Sequence, residues 1–129
     1  HPPPPNVTVL HASHPTPSSS SVTAAEAVLS LASSPSHNLV LLSGGASSLC
    51  CSPLLPLPSY SAAVAALVKS RHPIQSINAV RVVLDSFKGG GLARAILEAG
   101  GSVETLAVSD VVDDDVRFIG SGPTCLEGW

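Results

Sequence analysis

The chain has 129 residues and a mass of 13.0 kDa, which is enough for one compact domain. Apolar residues make up 44% of it and aromatic residues only 3%, so the core must consist of Ala, Val, Leu and Ile. Charged residues make up 12% and the formal net charge is −3, so nucleic acid is not expected as a partner. Mean hydropathy is +0.38, but no apolar run approaches the roughly 20 residues of a membrane-spanning helix, so no membrane association is expected.

The three cysteines predict a reducing compartment. Cys50 and Cys51 are adjacent and Cys125 stands alone, so the three cannot make a complete disulfide framework. The sequence contains no Cys-x-x-Cys pair, so we do not expect a zinc site. We therefore expect a cytoplasmic protein. Because the chain begins with a proline run and without Met, we interpret it as a fragment of a larger two-domain protein, with residues 1–5 and 125–129 loosely held.

The first half of the sequence predicts a strand, a helix and a second strand. Residues 7–10 form a β-branched run typical of a strand. From Thr23, apolar residues recur at helical spacing, and Thr23 with Glu26 matches a capping box, so we predict a helix that ends before Pro35. In residues 38–42, Asn38 is followed by four apolar residues. This run predicts a buried parallel strand that leads into a tight loop.

The second half continues the alternation. We predict helices over residues 59–72, 74–86 and 92–99, a break at 89–91, and a strand over 103–108. Strands that alternate with helices indicate an α/β fold, here a three-layer sandwich with a mainly parallel, Rossmann-like sheet. In such sheets ligands bind at the carboxyl ends of the strands.

A glycine-rich loop follows the first of the two apolar strands. Ser43, Gly44, Gly45 and Ser47 supply hydroxyl donors and glycines that let backbone amides approach an anion, next to a predicted helix start. The motif is neither a Walker A sequence nor a dinucleotide fingerprint. The alternative is a plain strand-to-helix turn.

A second cluster contains two of the six basic residues. Asn78 and Arg81 are three apart and share a helix face, and Lys88 precedes Gly89 and Gly90. Arg binds a carboxylate or phosphate through its fork, and Lys supplies a mobile positive charge. The alternative is a solvated helix end with a glycine cap.

Acidic and hydroxyl side chains cluster after the last predicted strand. Ser109 and Asp110 stand at the carboxyl end of that strand, and Asp114 lies within a three-aspartate run, so Asp110 and Asp114 are candidate Mg²⁺ ligands together with nucleotide phosphates. The segment Ser121-Gly122-Pro123-Thr124 forms a rigid loop that carries hydroxyl groups. The alternatives are a solvated acidic turn and an ordinary turn.

The order of these motifs resembles a known family. The series Leu-Ser-Gly-Gly-Ala-Ser from residue 42, Asn-Ala-Val-Arg from 78, Lys-Gly-Gly from 88, Ser-Asp-Val from 109, Asp-Asp at 114–115 and Ser-Gly-Pro-Thr from 121 is similar to the N-terminal domain of the glycerate 2-kinase family, whose C-terminal part is the MOFRL domain. The similarity starts at His14-Pro15, which resembles the family's H-P-x-P-D.

The resemblance implies a phosphotransferase. It implies ATP- and Mg²⁺-dependent transfer of the γ-phosphoryl group to the 2-hydroxyl of D-glycerate, giving 2-phosphoglycerate. Lys88, Arg81 and Asp110 then carry catalysis, the first two by offsetting negative charge, and Asp110 and Asp114 contact Mg²⁺ or accept the hydroxyl proton. The residues expected to bind substrate or phosphate are Ser43, Gly44, Gly45, Ser47, Asn78, Gly89, Gly90, Ser109, Ser121, Gly122 and Thr124.

The chain departs from the family pattern where cations are expected. Val82 and Val83 stand in place of Lys and His, and Gly91 stands in place of Arg. Each charge-assisted contact is worth about 1.5–3 kcal/mol, so these losses weaken phosphate binding. We therefore predict that this polypeptide is inactive alone and needs the C-terminal domain of the same protein. The alternative is a non-catalytic, degenerate homologue that serves as a small anion-binding or interaction module.

Overall fold

The computed structural model describes residues 2–128, and His1 and Trp129, the end residues of the segments predicted to be loose, lie outside this range. The described part contains five α-helices, two strands and one 3₁₀ turn. In chain order these are α1 (Ser19–Ala32), β1 (His37–Leu42), α2 (Ala46–Leu49), α3 (Leu57–Lys69), α4 (Ile74–Val83), α5 (Gly91–Glu98), β2 (Ser102–Ala107) and the 3₁₀ turn Ile119–Ser121.

The sheet consists of β1 and β2, which pair in parallel. The register runs from His37 opposite Ser102 to Leu42 opposite Ala107, and the amide of Val108 donates to the Leu42 carbonyl at 2.8 Å. The predicted α/β class with a parallel sheet is confirmed. Because the strands are parallel, the segments that follow Leu42 and Ala107 leave the sheet at the same edge.

Two predictions about the first 30 residues are wrong. Residues 7–10 form no strand, because no other strand within residues 2–128 pairs with them. Helix α1 begins at Ser19, one turn before the predicted box of Thr23 and Glu26. The Ser18 amide donates to Ser21 Oγ at 3.1 Å, so the serine run supplies the cap.

The core lies on one face of the sheet. Ala25 and Ala32 of α1 pack with Phe87 and with Leu92 and Ile96 of α5, and Val40 of β1 and Val103 of β2 contact this cluster from the sheet. Small alanine side chains let α1 approach closely, as the composition requires. A second cluster of Cys51, Tyr60 and Val64 joins α3 to the segment after α2.

The opposite face of the sheet is open in the described part of the chain. Leu39, Leu41 and Leu106 are 57%, 73% and 57% exposed, respectively. The prediction of a fully buried first strand is therefore wrong for this face, because α1 and α5 cover only the other one. No helix within residues 2–128 is both long and apolar enough to cross a bilayer.

Candidate functional site

The loop that leaves β1 presents free backbone donors. Gly45 adopts a left-handed conformation, with φ +84° and ψ −19°, which glycine reaches without strain. Among residues 2–128, neither the Gly44 nor the Gly45 amide donates a hydrogen bond. Ser43 is exposed in this loop, and Ser47 is half-buried in α2. The loop can therefore supply two amide donors to an incoming oxygen.

Asp110 lies directly against this loop. A β-carbon built on Gly44 would stand 2.0 Å from Asp110 Oδ2, so the carboxylate lies close against the Gly44 backbone. The Asp110 side chain is exposed and makes no hydrogen bond or ion pair with other described residues. The neighbouring Ser109 Oγ donates to the Val111 carbonyl at 3.1 Å and thus caps its own turn. The structure brings together the two strand-end motifs found in the sequence.

The 3₁₀ turn connects the first loop to the triple glycine. A β-carbon on Gly120 would lie 3.0 Å from Ala46 Cβ, so the turn sits on the start of α2. The carbonyls of Ser121 and Gly122 accept hydrogen bonds from the amides of Gly89 and Gly90 at 3.0 and 2.8 Å. Two predicted motifs more than 30 residues apart in the sequence are therefore hydrogen-bonded to each other, and both are buried where they meet.

Two hydroxyl groups of residues 121–124 differ in their hydrogen bonding. Ser121 is 1% exposed and its Oγ has no hydrogen-bond partner within the described residues. Thr124 Oγ1 accepts a hydrogen bond from Thr105 Oγ1 of β2 at 2.9 Å, which ties the loop to the sheet. Thr105 and Thr124 line an open groove of about 390 Å³ beside Leu42.

Lys88 is buried in an ion pair. Its Nζ is 2.6 Å from Asp85 Oδ2 and 3.2 Å from the Cys50 carbonyl, and its side chain is 1% exposed. Asp85 also accepts from the Tyr60 hydroxyl at 2.7 Å and from the amides of Ser52 and Phe87 at 3.0 Å each. The direct phosphate contact predicted for Lys88 requires this pair to open. The sequence motif gave no sign of its burial.

The groups around this ion pair stay neutral at neutral pH. Burial raises the pKa of Tyr60, and the nearby Asp85 carboxylate raises it further. Burial also raises the pKa of Cys51 to about 11 and raises that of Cys50, although Lys88 opposes both effects. The two thiols are therefore poor nucleophiles here.

Arg81 is a half-buried cation that has no counter-ion among residues 2–128. Its Nη1 donates to Asn78 Oδ1 at 3.5 Å, which is a long contact, and its Nε is buried without a partner among residues 2–128. Burial lowers the pKa of the guanidinium, but arginine stays charged. Asn78 is 3% exposed on the same helix, and α4 packs against the 3₁₀ turn. A half-buried guanidinium with no carboxylate beside it in the described part of the chain suits an anionic ligand.

The three consecutive aspartates at residues 113–115 have different surroundings in the structure. A cleft of about 330 Å³ lies between the start of α4 and residues 110–118, with Asp110, Asp113 and Asp115 among its lining residues. Arg117 engages Asp115, with Nε 2.9 Å from Oδ1, and these contacts lower the pKa of Asp115. Asp114 is exposed and does not line the cleft.

The described residues contain no group of three or more His, Cys, Asp or Glu side chains that could hold a metal ion by themselves. Mg²⁺ usually binds through one or two carboxylates together with substrate phosphates. The free carboxylate of Asp110 fits that mode, whereas the structure gives no such place to Asp114.

His14 lies beside the loop that leaves β1, and the sequence analysis did not include it among the site residues. A β-carbon on Gly45 would lie 3.6 Å from both Cδ2 and Nε2 of its imidazole. A single histidine in a polar loop carries little signal by itself. The one available signal was its position at the start of the family resemblance.

A comparison with protein families matches residues 1–128 to the family described as "Domain of unknown function (DUF4147)". The chain belongs to this family. The DUF4147 domain is the N-terminal domain of glycerate kinases, as the resemblance predicted.

Relatives of this DUF4147 chain carry two kinds of name. A putative hydroxypyruvate reductase of Agrobacterium vitis is 42% identical over 126 residues, which are 94% of this chain and 28% of that protein. The D-glycerate 2-kinase of Thermotoga maritima is 38% identical over 120 residues, which are 89% of this chain and 28% of that protein.

A solved structure shares the fold. The crystal structure of glycerate kinase from Thermotoga maritima aligns with a TM-score of 0.89 and 34% identity, over 97% of this chain and 31% of that one. This DUF4147 chain thus spans less than a third of the length of these relatives.

Proposed function

We propose that the full-length protein containing this DUF4147 domain is a kinase that uses ATP and Mg²⁺ to phosphorylate the 2-hydroxyl of D-glycerate, giving 2-phosphoglycerate. The observation that carries the proposal is the convergence at the carboxyl end of β1. The amides of Gly44 and Gly45 and the carboxylate of Asp110 meet there with the turn at residues 120–122. Within residues 2–128 neither these amides nor this carboxylate has a hydrogen-bond partner. Relatives named glycerate kinases support the substrate class.

Backbone and hydroxyl groups position the anionic groups in this proposal. The amides of Gly44 and Gly45, with Ser43 and Ser47 beside them, hold anionic oxygens. Ser109, Ser121 and Thr124 are proposed to contribute hydroxyl groups to the same cleft in the full-length protein. Ser121 Oγ, which is buried, has no hydrogen-bond partner among the described residues. Phosphoryl transfer depends mainly on such positioning and on neutralising charge.

Arg81 supplies the positive charge. During transfer the 2-hydroxyl oxygen gives up its proton to solvent water and forms a bond to the γ-phosphorus while the bond to the bridging oxygen of ADP breaks, and charge builds on the phosphate oxygens. A guanidinium that is already partly desolvated stabilises this charge strongly. Asn78 fixes its orientation from the adjacent turn of α4.

Asp110 is the proposed Mg²⁺ ligand. Bound Mg²⁺ neutralises charge on the nucleotide phosphates. Asp110 contributes an ionised oxygen at the loop where those phosphates lie, and Gly44 leaves the space for it. Asp114 needs the remainder of the protein to reach the substrate, because it does not line the cleft.

Lys88 acts in this proposal through the loop that follows it. The Asp85–Lys88 pair fixes the chain just before Gly89 and Gly90, whose amides bond the turn at 121–122. Lys88 is thus a positioning residue in the geometry described, and direct phosphate contact by its ammonium stays a prediction.

The domain alone is proposed to be inactive. It covers 28–31% of the compared relatives, so the remaining length, including the C-terminal domain, completes the cleft. We also propose a cytoplasmic location, because the described residues contain no disulfide and the thiols of Cys50 and Cys51 are reduced.

One observation favours a second candidate, a non-catalytic anion-binding homologue. Val83 is 72% exposed and Val82 contacts Gly89, at positions where the family pattern has His and Lys. With Lys88 buried, Arg81 is the main cation of the motifs available to a ligand. Such a protein binds the acid or the nucleotide without turnover.

The test uses the full-length protein with D-glycerate and Mg²⁺-ATP, and ADP formation as the readout. The kinase proposal expects ADP release that depends on D-glycerate and is lost in Arg81→Ala but kept in the exposed control Arg71→Ala. Binding of both ligands without turnover supports the non-catalytic homologue. Oxidation of NADH or NADPH with hydroxypyruvate, and no ADP, contradicts the kinase proposal and fits the reductase name of the Agrobacterium relative.

A further inference from the structure

His14 approaches the amide-bearing loop from the segment before α1. Its Cδ2–Nε2 edge lies 3.6 Å from the position of a β-carbon on Gly45. The side chain belongs to an exposed residue and makes no hydrogen bond or ion pair in the part of the chain that the structure describes. The ring therefore lies beside the loop, and its Nε2 has no hydrogen-bond partner among the described residues.

The segment that carries His14 is fixed in place. Ser48 Oγ of α2 donates to the Pro15 carbonyl at 2.8 Å, and Ser61 Oγ of α3 donates to the Pro17 carbonyl at 3.3 Å. Pro17 is buried. The imidazole is thus presented by an anchored backbone rather than by a free tail.

The groups around the loop define which ligand fits. The Gly44 and Gly45 amides can only donate, whereas Asp110 next to Gly44 can only accept. His14 Nε2 and Asp110 Oδ2 lie within about 13 Å of each other, because the two glycines are consecutive and their α-carbons are about 3.8 Å apart. The Asp110 charge repels an anion on the amides, so a donor on the Gly45 side offsets this cost.

We infer that His14 is a further substrate-contacting residue, whose Nε2 donates a hydrogen bond to an anionic oxygen held on the amides of Gly44 and Gly45. This inference rests on the proposed function for the identity of the ligand. The oxygen belongs either to the carboxylate of the hydroxy acid or to a phosphate of the nucleotide, and both are anionic oxygens of a small ligand.

The test combines binding and kinetics on the full-length protein. NMR of histidine labelled with ¹³C and ¹⁵N follows the His14 ring while D-glycerate and ATP are added in separate titrations. His14→Ala removes the donor, His14→Gln keeps an N–H near the Nε2 position, and His11→Ala is the matched control, because His11 is also exposed in the same segment.

We expect His14→Ala to weaken one of the two ligands about 10- to 100-fold, the range for a hydrogen bond to a charged group. The other ligand and the melting temperature stay unchanged, His14→Gln recovers most of the loss, and the His14 ring signals shift with the same ligand. Unmoved ring signals with both ligands, unchanged affinities in His14→Ala, or equal losses for both ligands with a lower melting temperature would overturn the inference.

The readouts separate this inference from the proposed function. If the wild-type protein releases no ADP, the kinase proposal fails, but the two titrations still report whether His14 contacts an anionic ligand. If ADP is released and His14→Ala behaves like His11→Ala, the kinase proposal stands and the role of His14 is refuted.

Discussion

Replacing Lys88 by methionine probes the buried ion pair most directly. Methionine keeps most of the volume and removes the ammonium, so Asp85 becomes a buried carboxylate without its counter-ion. Breaking a buried pair in this way costs about 3–5 kcal/mol. Three hydrogen bonds to Asp85 survive, from the Tyr60 hydroxyl and from the amides of Ser52 and Phe87, so we expect the lower end, about 3 kcal/mol.

The assay is urea unfolding followed by far-ultraviolet circular dichroism, which yields the free energy of unfolding. Lys69→Met is the matched control, because Lys69 is exposed at the end of α3, and it should change the free energy by less than about 0.5 kcal/mol. Adding Asp85→Asn to Lys88→Met should restore part of the loss, because the uncompensated charge disappears while one oxygen still accepts from the amides.

Two results would refute this reasoning. A cost for Lys88→Met no larger than that for Lys69→Met would mean that the ammonium is not buried against Asp85. A double variant less stable than Lys88→Met alone would mean that the Asp85 charge is not the source of the destabilisation.

Three further outcomes follow from the contacts described. Arg81→Ala should lower kcat/KM for the proposed kinase reaction of the full-length protein at least tenfold. The free energy of unfolding should stay within about 1 kcal/mol of wild type, since the contacts of Arg81 are few, and equal activity would refute its role. Gly91→Ala should lower the free energy of unfolding in urea by about 1–3 kcal/mol, because the new β-carbon would stand 1.8 Å from the Ser86 carbonyl oxygen. An increase in stability, as alanine usually gives over glycine in a helix, would contradict this. Cys51 is fully buried with a pKa of about 11, so iodoacetamide at pH 8 should leave it unmodified in the native protein and alkylate it in urea, as read by mass spectrometry; native alkylation would be inconsistent with that burial.

The sequence predicted the arrangement of the site where local pattern and topology suffice. Apolar patterns located α1, α3, α4, α5 and both strands of the sheet, but not the short helix α2. Parallel strands put their carboxyl ends at one edge, so the meeting of Gly44 with Asp110 followed from the topology. The sequence predicted a break at residues 89–91 and a rigid loop at residues 121–124, but it did not predict that the backbones of these two segments bond to each other.

The residues that sequence reasoning misjudged depend on tertiary contacts. Asp85 follows the end of α4, so its pairing with Lys88 depends on how the chain turns there and on Tyr60 arriving from α3. His14 reaches Gly45 only because its segment is anchored to α2 and α3. Residues 7–10 have β propensity, but propensity supplies no pairing partner.

The start of α1 shows a local competition that the sequence pattern ranks in the wrong order. The Thr23–Glu26 pair matches the Ser/Thr-x-x-Glu/Gln pattern of a capping box, whereas the Ser18 amide bonds to the hydroxyl of a serine, Ser21. The earlier pair is used, and Ser21 is completely buried beneath the helix start. Its amide oxygen accepts from Cys51 at 3.2 Å, a contact 30 residues away in the chain.

The most direct test of the central claim is ³¹P NMR of the full-length protein incubated with D-glycerate and Mg²⁺-ATP. The proposed function predicts a phosphomonoester signal that matches authentic 2-phosphoglycerate and grows as ATP is converted to ADP. Only 3-phosphoglycerate, or no new phosphomonoester with any nucleoside triphosphate while both ligands bind, would contradict it.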